Sequence, residues 1–272
     1  MYEDILLTTD GSEMATRACE HGLWLADQVG ATIHVVHVLL PEDADDSERA
    51  DNAIEAVRSS ATERNLSIDS SVRSGSPATE ILEHAAEHAI DLIVCGTHGR
   101  TGIRRLVTGS VAGRVIRDAK VPVLSVTPTA GGTRTEINDI LLATDDRHGA
   151  EAANEQALDL ASALEADLHA LSVVDDTGSR LEVVLEAFEA QAESAVEAIQ
   201  SSATDRGVSV TGTINRGEPS REIVDYAERQ SVDLIVMGTE SRSGLERFVF
   251  GSCSQRVVST APAPVLTFRT LE

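Results

Sequence analysis

Leu92-Ile93-Val94-Cys95-Gly96-Thr97-His98-Gly99 runs from an apolar stretch into two glycines, and Gly109-Ser110 follows after nine residues. Leu234-Ile235-Val236-Met237-Gly238-Thr239-Glu240-Ser241 does the same, with Gly251-Ser252 after the same nine. Gly75-Ser76-Pro77 answers Gly217-Glu218-Pro219, and Val121-Pro122-Val123-Leu124 answers Ala263-Pro264-Val265-Leu266, all 142 positions apart. Nearer each start, Asp4 to Asp10 matches Asp139 to Asp145 and Ala31 to Val38 matches Ala166 to Val173, at a separation of 135. The second copy therefore holds seven more residues between its second and third strands. Solenoid repeats have periods of about 20 to 50 residues, so this is a duplicated domain.

A chain of 272 residues agrees with two domains at roughly 150 residues each. Apolar periodicity stops over residues 127–134, where Pro and Gly gather as in a short linker. The expected division is residues 1–127, a linker at 128–136, and residues 137–272. The net charge is -23, and 21 of the 22 basic residues are Arg, Lys120 being the other. Such a surface repels nucleic acid and anionic membranes, which reward clusters of Lys and Arg. Acidic excess with almost no Lys also suits a salt-rich cytoplasm, because at about 1 M salt the Debye length is only about 3 Å and dense carboxylates no longer repel one another. Cys19, Cys95 and Cys253 form no CxxC and read as small buried hydrophobes. Charge within the first three residues and the lack of an 18-residue apolar run argue against a signal peptide or membrane span, so a cytoplasmic location is expected.

The order of elements in the first half follows from period and punctuation. Strand-like runs occur at 5–7, 33–39, 68–72, 92–95 and 123–126, and helical patterns lie between them. Ala15, Ala18, Cys19, Gly22, Ala26 and Val29 recur at helix spacing with Gly30 as the stop. Further helices are predicted at 53–64, 77–88 and 110–118. Pro77 and Pro219 fall at helix starts, where a missing N–H costs nothing. Alternating strand and helix argue for a parallel sheet covered on both faces. The acidic residues 42–51 lack a fixed ligand spacing and read as a solvated helix or loop. The seven extra residues of the second copy fall near 180–185, where they either lengthen a helix or cover a partner.

The chemistry lies in the glycine loop. Glycine after a strand allows positive φ and close approach of a ligand to the backbone. Loop N–H groups, with those of Gly109, Ser110 and Val111 at a helix start, make a donor array suited to phosphate. Each charge-assisted hydrogen bond contributes about 1.5 to 3 kcal/mol, so four or five suffice for the roughly 8 kcal/mol of micromolar affinity. No GxxxxGK[ST] loop is present and Lys120 lies outside the motif, which excludes a P-loop NTPase mechanism.

The stretch from Gly96 to Ala112 resembles the G-x2-G-x9-G-[ST] loop of the universal stress protein family. Ile5-Leu6-Leu7-Thr8-Thr9-Asp10-Gly11-Ser12 and Val121-Pro122-Val123-Leu124 are similar to that family's first and last strands. The resemblance covers nearly all of both halves. It implies two tandem open α/β/α sandwiches, each a parallel five-stranded sheet in the order 3-2-1-4-5, of Rossmann-like, adenine nucleotide hydrolase-like kind. It also implies ATP binding, as in one subgroup of the family, and dimers paired through their last strands, which a tandem chain can form within itself or as a homodimer.

If strands 1 and 4 are neighbours, the order reverses between them, and ligands bind at such a switch point. By the resemblance Asp10 meets the adenosine side, the Val38 main chain meets the adenine, and the loop Gly96, Thr97, His98, Gly99 with Gly109, Ser110 and Val111 holds the phosphates. Thr9 and Thr97 are candidates for hydroxyl contacts and Arg100 for screening phosphate charge. Asp10 also reads as a helix N-cap. ATP, or AMP or ADP, is the expected ligand, with Mg²⁺ accompanying it.

The second copy offers Asp145, Val173, Gly238, Gly251 and Ser252. Ser241 stands there in place of Gly99 and Glu240 in place of His98, so its site is expected to be weak or empty. Ser at a positive-φ position costs on the order of 1 kcal/mol.

No residue set commits the chain to catalysis. His98 has no adjacent nucleophile, while His34 and His37 are at odd spacing on a strand and cannot chelate one ion. SGGxxS and HxGH sequences are absent. The leading expectation is a nucleotide-binding stress-response protein with an unidentified protein partner. The alternatives are a weak Mg-dependent ATPase and a structural dimerisation module without ligand.

Overall fold

Ile5, Leu6 and Leu7 are wholly buried, and the strand they build, β1 (Asp4–Thr9), is the middle strand of a parallel sheet. The computed structural model describes residues 1–41, 47–97, 109–130, 136–145, 150–177, 182–239 and 251–269. The chain divides into two units, Met1–Thr135 and Glu136–Glu272.

In unit 1, β1 is followed by α1 (Glu13–Val29), β2 (Thr32–Leu39), α2 (Ser47–Glu63), β3 (Ile68–Ser74), α3 (Pro77–Glu87), β4 (Leu92–Gly96), α4 (Ser110–Asp118) and β5 (Val123–Val126). The strands lie in the order β3-β2-β1-β4-β5, each pair parallel, with Thr9 opposite His37 and Leu7 opposite Val94. Every residue of β5 and the first four of β4 are buried. Edge strand β3 alternates instead between half-buried and exposed residues. Asp91 ties the start of β1 to β4 by accepting from the Glu3 and Asp4 N–H groups at 2.8 and 3.0 Å.

Unit 2 repeats the plan with β6 (Asp139–Ala143), α5 (Glu151–Leu164), β7 (Asp167–Val174), α6 (Glu182–Arg206), β8 (Val210–Arg216), α7 (Pro219–Gln230), β9 (Leu234–Gly238), α8 (Ser252–Thr260) and β10 (Val265–Phe268). Its order is β8-β7-β6-β9-β10, again all parallel. Asp233 does for Asn138 and Asp139 what Asp91 does in unit 1. The order 3-2-1-4-5 implied by the family resemblance is therefore present in each unit.

Most element boundaries fall within two residues of the sequence reading, and the start of α2 departs furthest. Helix α2 begins at Ser47, six residues before the predicted 53, because Ala50 joins Ala53, Ile54, Val57 and Ala61 on one buried stripe. Its acidic first turn projects into solvent. The extra residues of the second copy lengthen a helix: α6 has 25 residues against 17 in α2. Residues 42–46 and 131–135, which include part of the acidic run and part of the expected linker, lie outside the described residues.

Candidate functional site

Two helix N-termini gather where β1 and β4 end. Helix α1 is capped by Ser12, whose hydroxyl accepts from the Ala15 N–H at 3.2 Å. Asp10 Oδ1 accepts from the Ser12 N–H at 2.9 Å, and Thr9 Oγ1 accepts from the Gly11 N–H at 3.2 Å. Gly11, at φ 76°, turns the chain between them as a non-glycine residue rarely can. The expectation that Asp10 is the N-cap is corrected: Ser12 takes that place, and Asp10 braces the turn before it.

Gly96 ends β4. It is not among the described glycines with positive φ. A Cβ there would lie 3.1 Å from the Met14 carbonyl oxygen and 3.2 Å from the Met14 carbonyl carbon. The residue is glycine so that β4 can press against the first turn of α1. Thr97 is fully buried, donating its N–H at 2.9 Å and its hydroxyl at 3.2 Å to the Val126 carbonyl. These two hydrogen bonds tie β4 to β5.

The start of α4 is tied to the same point. The Gly109 N–H donates to the Thr97 carbonyl at 2.7 Å, which removes it from the predicted donor array. Gly109 is the N-cap at φ -53° and supplies no side-chain bond to the first turn. The N–H groups of Ser110 and Val111 in that turn carry the positive end of the helix dipole. Val38 lies one residue past the last β1–β2 pair and pairs with Arg73 on its other side. The structure thus brings Thr9, Asp10, Gly96, Thr97, Gly109, Ser110 and Val111 to one end of the sheet. His98, Gly99 and Arg100 lie outside the described residues.

Unit 2 keeps the frame and changes the chemistry. The Gly251 N–H donates to the Thr239 carbonyl at 3.1 Å, and Gly238 and Ser252 occupy the places of Gly96 and Ser110. Val173 pairs with Asn215 beyond the last β6–β7 pair. Cys253 stands where unit 1 has Val111. Burial pushes its thiol up to about 11, and the nearby carboxylates of Asp145 and Asp175 push the same way. Asp145 is exposed, while the buried Thr144 hydroxyl has no hydrogen-bond partner. Glu240 and Ser241 lie outside the described residues.

The other two thiols are free and buried, and burial pushes both Cys19 and Cys95 up to about 12. None of the three is set up as a thiolate nucleophile. Ser12 and Gly11 escaped the sequence reading, although Asp10-Gly11-Ser12 is the turn chemistry expected ahead of a helix.

A five-stranded parallel sheet with helix N-termini flanking the reversal of strand order defines the doubly wound α/β class, whose ligands bind at that switch point. The model of the Universal stress protein family matches residues 1–127 and again 136–269, and the chain belongs to that family. The Universal stress protein MJ0531 of Methanocaldococcus jannaschii is 34% identical over 140 residues, 46% of this chain and 82% of that protein. The Universal stress protein YxiE of Bacillus subtilis is 29% identical over 147 residues, 46% of this chain and 99% of that protein. A universal stress protein crystal structure from Archaeoglobus fulgidus shares the fold across 98% of this chain and 96% of its own, with TM-score 0.77 at 22% identity. No helix among the described residues is long and apolar enough to cross a membrane.

Proposed function

We propose that this chain is a cytoplasmic universal stress protein that binds ATP, or another adenine nucleotide, mainly in unit 1 and acts as a stress-response binding module. The observation that carries the reading is the meeting of Asp10, the end of β4 and the uncapped first turn of α4 at the switch point of unit 1. There the Ser110 and Val111 N–H groups supply a positive dipole end for phosphate. With the Gly109 N–H donated to the Thr97 carbonyl, the Ser110 and Val111 amides carry the phosphate contact at the start of α4.

Unit 2 supports a weaker site. Asp175 and Cys253 replace Leu40 and Val111, and Glu240 replaces His98, so negative charge gathers where phosphate would bind.

Calorimetry of the full chain with ATP and magnesium in molar potassium chloride tests the reading. Micromolar binding is expected, with one strong site. The Gly99→Asp variant is expected to abolish that site, and Ser241→Gly to strengthen the second. Absence of heat for every adenine nucleotide, or unchanged titrations in both variants, would overturn it.

A further inference from the structure

Three imidazoles of unit 1 meet at the end of the sheet away from the site just described. His84 on α3 and His88 at its C-cap stand one turn apart, with ring centroids 4.0 Å apart and stacked. His34, near the start of β2, lies 5.7 Å from His88 and 6.3 Å from His84. His34 Nε2 is 2.8 Å from Asp4 Oδ1, and His88 Nδ1 is 3.0 Å from the His84 carbonyl oxygen. These acceptors assign the protons to His34 Nε2 and His88 Nδ1. That leaves His34 Nδ1 and both nitrogens of His84 buried without any hydrogen bond, and His84 is only 2% exposed.

Unit 2 shows what a satisfied version of this arrangement looks like. Asp139 Oδ1 holds His169 Nε2 at 3.0 Å, as Asp4 holds His34. There His169 Nδ1 meets the Tyr226 hydroxyl at 3.0 Å, and Tyr226 occupies the position of His84. Gln230 occupies that of His88. Unit 1 has thus exchanged a hydrogen-bonded tyrosine for a buried, unpartnered imidazole with a second imidazole stacked upon it.

The charged surroundings of His84 favour its neutral form. Asp4 on β1 is engaged with His34. Arg73 on β3 lies nearby, paired with Glu80 and Glu87 of α3 at 2.8 and 2.7 Å and within 3.9 Å of Glu83. Helix α4, which also packs on α3, carries Arg114, Arg117 and Asp118, which pair among themselves. Burial first, then the neighbouring His88, Arg73 and His34, lower the His84 pKa to about 4, and Glu87 alone pulls it upward. Among the described residues no group of His, Cys, Asp or Glu is arranged to hold a metal ion.

We propose that the His34–His84–His88 cluster is an acid-operated release of α3: protonation, which the docked helix cannot accommodate, loosens α3 from β2 and β3. The sign follows from linkage. The folded unit binds fewer protons here than the unfolded chain, so the stabilisation is complete above the ordinary histidine value of about 6.5 and is lost as pH falls from there toward 4.

The test compares the full-length protein with His84→Tyr, which installs the unit 2 arrangement, and with His88→Gln, which changes an exposed residue and keeps the fold. Between pH 7.5 and pH 5 the melting temperature of the wild type is expected to fall by about 4 °C more than that of His84→Tyr. His88→Gln should lie between them. Proton NMR should show the His84 ring still neutral at pH 5, titrating below the ordinary histidine value. Equal acid sensitivity in wild type and both variants would overturn the proposal. So would a zinc-dependent rise in melting temperature that His84→Tyr abolishes, since a metal would then be the occupant. Should His84→Tyr fail to fold, His88→Gln and the histidine titration decide the matter alone.

Discussion

Gly96 illustrates how one residue type can serve two readings. After a strand it suggests a ligand cradle, but its missing side chain makes room for the Met14 carbonyl. Gly96→Ala is therefore expected to destabilise unit 1 by about 1 to 3 kcal/mol through overpacking of β4 on α1, read as a lower urea midpoint. If stability is unchanged, the close approach is not what requires glycine. The thiols give a second prediction at this scale. With Cys19 and Cys95 both buried and pushed up to about 12, and Cys253 to about 11, native protein at pH 8 should react with a disulfide reagent far more slowly than denatured protein. A fast-reacting thiol in the native state would contradict the burial described. The place of Asp10 just past the first strand was legible in the sequence; that Ser12 caps α1 depends on the turn geometry at Gly11.

Among the elements, β3 and α3 are joined by charge where β8 and α7 are joined by an amide. Arg73 bridges Glu80 and Glu87, and these hydrogen bonds hold the guanidinium charged and pull the Glu87 carboxyl below its usual range. In unit 2, Asn215 donates to Glu222 at 3.0 Å. Arg73→Asn should lower the urea midpoint slightly at low salt, and less in molar potassium chloride. A loss independent of salt would mean packing, rather than charge, joins the two elements. Helices α2 and α6 show where periodicity was ambiguous. The alanine stripe of α2 extends back through Ala50, yet alanine contributes little apolar contrast against the acidic residues around it. The extra residues of the second copy could be counted exactly, but only the folded chain shows them as added helix.

Across the whole molecule a net charge of -23 opposes compaction at low ionic strength. The unfolding midpoint is expected to rise as potassium chloride increases from about 0.1 M to above 1 M, where the Debye length shrinks to about 3 Å. A midpoint that falls or stays level would remove the argument for adaptation to a salt-rich cytoplasm. The duplication and the alternation of strand and helix were both determined by the sequence itself, because they depend on local periodicity and on matches at fixed separations. Tertiary structure alone decided which N–H groups stay available. The Gly109 amide is consumed by Thr97, and the Thr97 hydroxyl by Val126, through contacts that bring distant strand ends within 3.2 Å. It alone also brought His34 to His84 and His88, since residues 50 apart along the chain become neighbours only when β2 and α3 pack together.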